Sequence, residues 1–157
     1  MDPDVCLAVW RFSYRLTQSR EDAEDLSQEA LARAYLRFHQ LRHDHLVKGW
    51  LFSIVRTRFI EGTRRKRFDI VGDEFVNLHT EDENPLGRMV REVVRKLPQV
   101  QREAIELFHF DELSLAETAA ALGVGVNTVK QRLHRARESL KKLLAPNFAA
   151  GDLEALL

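Results

Sequence analysis

The sequence predicts an all-α fold of two small helical domains joined by a flexible linker, the C-terminal one containing a helix-turn-helix. Three observations carry this. Nearly every segment repeats its apolar residues at three- and four-residue spacings, and none sustains the alternation of a half-buried strand. One acidic stretch, residues 69–85, interrupts that periodicity. In the C-terminal half, Gly123 sits between two short periodic segments, where a helix end favours a residue tolerant of positive φ.

Taken in order, Val5 to Leu16 is rich in aliphatic and aromatic residues (Leu7, Val9, Trp10, Phe12, Tyr14, Leu16) and reads as a buried helix that Thr17–Ser19 breaks. A second helix is expected from about Arg20 to His39, with Ala23, Leu26, Ala30, Ala34 and Phe38 on its apolar side. Its first turns carry Glu21, Asp22, Glu24 and Asp25, which suit the positive end of the helix dipole. The polar run His39–His45 reads as a loop. A long third helix follows from about Leu46 to Phe68, with Val47, Trp50, Leu51, Ile54, Val55 and Phe59 facing inward. Its last turns are almost purely basic, and Gly62 weakens that end by roughly 1 kcal/mol relative to alanine.

Residues 69–85 hold many acids and the Asn84-Pro85 pair, so they read as the linker. Beyond it, Leu86, Met89, Val90, Val93, Val94 and Leu97 form one apolar face. Pro98 suits the first turn of the next helix, which carries Ala104, Ile105, Leu107 and Phe108. The domain boundaries are therefore 1–68, 69–85, 86–146, and a tail of 147–157.

Leu113 to Leu144 holds the clearest local signal. Ser114 and Glu117 have capping-box spacing, and Leu115, Ala116, Ala119, Ala120 and Leu122 offer a small apolar face. After Gly123, a second helix begins within Gly125–Asn127. Val129, Leu133, Ala136, Leu140 and Leu143 form its stripe, while Thr128, Lys130, Gln131, Arg132, His134, Arg135 and Arg137 occupy the other faces. A basic helix alone is usually a solvated surface. Together with the cap and the placed glycine, these side-chain types instead predict a helix-turn-helix whose second helix reads the major groove.

Composition agrees. The 157 residues hold 24 Lys plus Arg and 24 Asp plus Glu, so a nucleic-acid binder must segregate its charge. Lys48 to Phe68 contains seven basic residues against the single acid Glu61, and Asp69 to Gly87 contains six acids and no Lys or Arg. The single cysteine, Cys6, excludes an internal disulfide and reads as a small core residue. No apolar run reaches the length of a membrane span, and the N-terminus lacks the pattern of a signal peptide, so a cytoplasmic location is expected. No nucleophile–base pair, phosphate loop or carboxylate constellation is legible, so catalysis and cofactors are not expected. His43 and His45 lack a third ligand at fitting spacing and read as loop histidines, so no metal is expected either.

Three stretches carry a family resemblance: DAEDLSQEALARAY (Asp22–Tyr35), GWLFSIVRTRFIEGTRR (Gly49–Arg65) and the C-terminal helix-turn-helix. In this order, over about Leu7 to Leu144, the chain resembles a bacterial extracytoplasmic-function (ECF) RNA polymerase sigma factor. The resemblance implies two helical domains that bind core RNA polymerase, the first reading the minus-ten promoter element and the second the minus-thirty-five element. It assigns polymerase docking to Asp25, Leu26, Gln28 and Glu29. It assigns the unpaired minus-ten strand to the loop His39–His45 and to Arg56, Thr57, Arg58, Glu61, Arg64 and Arg65. Its duplex-reading positions fall on Lys130, Gln131, His134 and Arg135, to which the exposed faces of the helix add Thr128 and Arg132 as expected contacts with the minus-thirty-five element. An anti-sigma factor is a further implied partner.

The chain departs from the family's usual residues at Thr57 (often Asn), Glu61 (Asp), Gly62 (aromatic) and Ser27 (aliphatic). The first two of the competing functions are a promoter-specificity subunit and a decoy that binds an anti-sigma factor without promoter activity. A stand-alone helix-turn-helix repressor is the third, and it leaves the first domain unexplained.

Overall fold

The computed structural model describes residues 2–66, 85–148 and 151. The sequence-predicted linker lies outside them except for Pro85. The described residues form seven α-helices and no strand. Packing divides the chain into two compact units, Met1–Asn77 with Ala116–Val124, and Leu78–Leu115 with Gly125–Leu157.

The first three helices are α1 (Pro3–Thr17), α2 (Arg20–Leu36) and α3 (Val47–Lys66). The Asp2 carboxylate caps α1 by accepting from the Asp4 N–H at 3.0 Å, with Pro3 in the first turn. Gln18 ends the helix in the left-handed region at φ 55°, donating its N–H to the Tyr14 carbonyl. Ser19 Oγ then accepts from the Asp22 N–H at 3.3 Å and starts α2. Two consecutive residues thus reverse the chain.

Small side chains on α2 (Ala23, Ser27, Ala30, Ala34) are buried, facing a core that includes Val9 and Phe12 of α1 and Leu51, Phe52 and Val55 of α3. The two buried serines satisfy their hydroxyls locally. Ser13 donates to the Val9 carbonyl at 2.9 Å and Ser27 to the Glu24 carbonyl at 3.0 Å.

Several expectations shift by a turn or a face. Helix α2 stops at Leu36, not His39, and Phe38 lies in a 3-10 turn with 57% of its surface exposed. Leu7 is also exposed, whereas Ser13 and Phe52, absent from the predicted faces, are fully buried. A second 3-10 turn, Asp44–Leu46, leads into α3, so His39–His45 is a loop with short turns at both ends.

Helix α4 (Pro85–Arg95) buries Val93 and Val94, but Leu86 is exposed. Pro98 is the N-cap of α5 (Gln99–Ile105), one residue ahead of its expected place. The chain then widens into a π-helical turn, Glu106–Phe110, with the Asp111 N–H donating to the Glu106 carbonyl at 3.0 Å. Ala104, Ile105, Leu107 and Leu113 are buried here, and the Arg91 guanidinium lies 4.4 Å from the Phe110 ring centroid.

Helix α6 (Leu115–Leu122) closes on Gly123 at φ 67°. The Val124 N–H reaches the Ala119 carbonyl at 3.1 Å and the Gly123 N–H reaches Ala120 at 3.4 Å, the paired bonds of a Schellman motif. Thr118 and Ala121 are buried, while Ala116, placed on the apolar face from sequence, is exposed. Helix α7 (Val126–Leu144) begins after the N-cap Gly125. Its buried stripe is Val129, Leu133, Ala136, Leu140 and Leu144; the expected last member, Leu143, is 40% exposed.

Candidate nucleic-acid and polymerase interface

The stripe on α7 fixes what its other faces present. Lys130, Gln131, His134 and Arg135 are exposed, and Thr128 and Arg132 are partly buried at the flanks. Among the described residues, none of the four exposed side chains makes an ion pair or side-chain hydrogen bond. They form one polar, basic face of the kind that reads base edges. Arg137 differs. It is partly buried, and its Nη2 lies 3.4 Å from His109 Nε2. Partial burial of the His109 ring, and then the Arg137 charge, push His109 below its ordinary value.

On α2, Asp25, Gln28 and Glu29 are exposed and Leu26 is partly buried. At about 100° per residue, Asp25, Glu29 and Leu36 fall on one line of the helix, and Gln28 and Tyr35 on the next. Tyr35 is 80% and Leu36 73% exposed. The acidic start of this face therefore continues into an apolar end. Sequence reasoning missed that end, although helical spacing from the buried Ala23–Ala30–Ala34 line would have revealed it.

Helix α3 carries the minus-ten nominees. Thr57 and Glu61 are exposed, Arg56 is partly buried, and Arg64 and Arg65 lie on the last turns of the helix. Arg58 sits differently from the rest. One guanidinium nitrogen, Nη1, donates to Glu61 Oε2 at 2.6 Å, and Nη2 donates to Glu29 Oε1 on α2. The hydrogen bond that Arg58 donates to Glu61 is the largest effect holding the Arg58 pKa above its ordinary value, so the group is a fixed cation. One residue from each nominated face thus meets at Arg58.

The loop histidines His43 and His45 lie with ring centroids 5.5 Å apart and planes tilted by 36°. Among the described residues, no group of three or more His, Cys, Asp or Glu is placed to hold a metal ion. Among them also, no helix is long and apolar enough to cross a membrane.

Comparison with known proteins places this arrangement. The family described as Sigma-70 region 2 matches residues 7–68, and Sigma-70, region 4 matches residues 87–140. The chain is 31% identical over 154 residues to the ECF RNA polymerase sigma factor SigW of Bacillus subtilis (strain 168), covering 87% of this chain and 82% of that one. It is 34% identical over 148 residues to the ECF RNA polymerase sigma factor SigE of Mycolicibacterium smegmatis, covering 87% of this chain but 57% of that longer relative. Among solved structures, the sigma factor RpoE in complex with the anti-sigma factor NepR from Bartonella quintana matches with a TM-score of 0.71 and 30% identity, over 92% of this chain and 94% of that one. A chain with both sigma regions in this order is a sigma factor, a transcription initiation factor and not an enzyme. It belongs to the ECF family of RNA polymerase sigma factors.

Proposed function

We propose that this chain binds core RNA polymerase in the cytoplasm and directs it to promoters, reading the minus-thirty-five duplex with α7. The observation that carries the reading is the undivided exposed face Lys130–Gln131–His134–Arg135 above a fully buried stripe. A helix built this way is held in place by its buried stripe and leaves its reading side chains unshared.

The polymerase face is Asp25, Leu26, Gln28 and Glu29, extended by Tyr35 and Leu36. A charged start gives orientation, and an exposed aromatic and a leucine give desolvation energy on docking. The loop His39–His45 with Arg56, Thr57, Glu61, Arg64 and Arg65 serves the melted minus-ten strand, where cations neutralise the backbone and splayed bases need flat surfaces. An anti-sigma protein is the third partner, consistent with the likeness to RpoE in its complex with NepR. The decoy reading gains nothing from that likeness, because a sigma factor active at promoters binds an anti-sigma factor equally well.

The experiment is a titration of core polymerase with the Asp25→Ala, Gln28→Ala, Glu29→Ala triple variant. Weakened binding at unchanged helical content supports the docking face, and undiminished binding removes it.

A further inference from the structure

Resting on the docking face just proposed, we infer that Arg58 is a positioning residue for polymerase binding: it fixes the Glu29 carboxylate and does not serve as a ligand of promoter phosphates. Its position within the basic end of α3 suggested a backbone contact with DNA. The geometry points elsewhere. The side chain is 18% exposed, and both terminal nitrogens are engaged, Nη2 by Glu29 and Nη1 by Glu61 at 2.6 Å. Two carboxylates already neutralise the guanidinium, which leaves it little attraction for a phosphate.

What the contact does for Glu29 is specific. Glu29 and Arg58 are 29 residues apart and join α2 to α3. Arg58 takes Oε1, and Arg33 Nε, one turn along α2, approaches the same oxygen at 3.8 Å. Both contacts are made through Oε1, and the side chain remains 46% exposed. One oxygen is therefore tethered while nearly half of the side chain stays open to a partner. A glutamate on a bare helix surface would lose rotamer freedom when a cation of the polymerase engages it. Here Arg58 has already imposed that loss in the free protein. Glu61 keeps the fork in plane by holding its second nitrogen, and arginine's paired donors suit that task better than a lysine's point charge.

The test uses the full chain and core RNA polymerase with Glu29→Gln, Arg58→Met, Arg58→Lys and the Glu29→Gln/Arg58→Met double variant. Helical content is followed by circular dichroism. Each is titrated against core polymerase. At saturating polymerase, each is also titrated with a single-stranded minus-ten non-template oligonucleotide over a range of salt. We expect Glu29→Gln and Arg58→Met each to weaken core binding by roughly tenfold. The double variant should be no weaker than Glu29→Gln alone, and Arg58→Lys should recover part of the loss. The salt dependence of strand binding should stay unchanged.

If Glu29→Gln weakens core binding but Arg58→Met does not, the inference falls and the docking face stands. An Arg58→Met effect that persists in full beside Glu29→Gln also overturns it, as does a salt slope shallower by about 0.7, the signature of one lost phosphate contact. If Glu29→Gln leaves core binding unchanged, the inference falls and Glu29 leaves the docking face, whose remainder the triple variant decides.

Discussion

Phe12 of α1 and Phe52 of α3 stack face to face, with ring centroids 4.5 Å apart and planes 3° from parallel. Phe52 is fully buried and Phe12 nearly so, and the small residues of α2 let these two rings fill the space between the helices. Phe52→Ala should destabilise the first unit by about 3–5 kcal/mol, the usual cost of emptying an aromatic core site. A double-mutant cycle with Phe12→Ala should return a coupling of about 0.5–1.5 kcal/mol, measured by urea denaturation. Additive effects would mean that the stacking contributes nothing beyond burial.

That pair also shows where sequence reasoning stopped. The spacing of apolar residues located α3, but Phe52 fell between the chosen stripe positions. A helix in contact with two neighbours buries more than one stripe, and periodicity alone assumes a single buried side. The same cause hid Ser27 and Thr118, because polar residues are not counted toward a core. The opposite error placed Phe38 and Leu86 inside, since hydrophobicity does not say whether a helix end still has a neighbour. The turn chemistry was legible at Gly123, where positive φ leaves few choices. It was not legible at Gln18, an ordinary residue held in the left-handed region by its bond to Tyr14. At the candidate site, charge type and spacing nominated the face of α7, and the family resemblance alone nominated that of α2. They could not show that Arg58 is occupied by Glu29 and Glu61, which requires knowing which helices pack together.

His109 links stability to acidity. Its folded pKa lies below the ordinary 6.5, so near and below pH 6.5 the unfolded chain binds the proton more readily. The group's contribution is present above pH 6.5 and is lost as pH falls from there through the folded value, after which it levels off. His109→Gln should flatten this part of the stability–pH curve relative to the parent. Identical curves for the two proteins in urea melts between pH 7.5 and 5 would contradict the assignment.

Arg135 and Arg137 are two residues apart on α7, yet their surroundings predict different outcomes. Arg135 is exposed on the reading face, and Arg137 lies against His109. Arg135→Ala should relax preference at one or two positions of the upstream element by about 1–3 kcal/mol in discrimination. Arg137→Ala should leave base preference nearly intact. Transcription from a promoter library varied only in the upstream element reads both. Preserved preferences in Arg135→Ala would place the recognition face on another side of the helix.

As a sigma factor, this chain confers promoter specificity on core RNA polymerase. A run-off transcription assay tests it most directly: purified core polymerase, with and without the protein, on a template bearing a promoter selected by start-site sequencing after its overexpression. A discrete run-off transcript should form only when the protein is present and be lost with the Asp25→Ala, Gln28→Ala, Glu29→Ala variant. Stable binding to core polymerase or to an anti-sigma factor with no promoter-dependent transcript would contradict that role and identify the chain as a decoy.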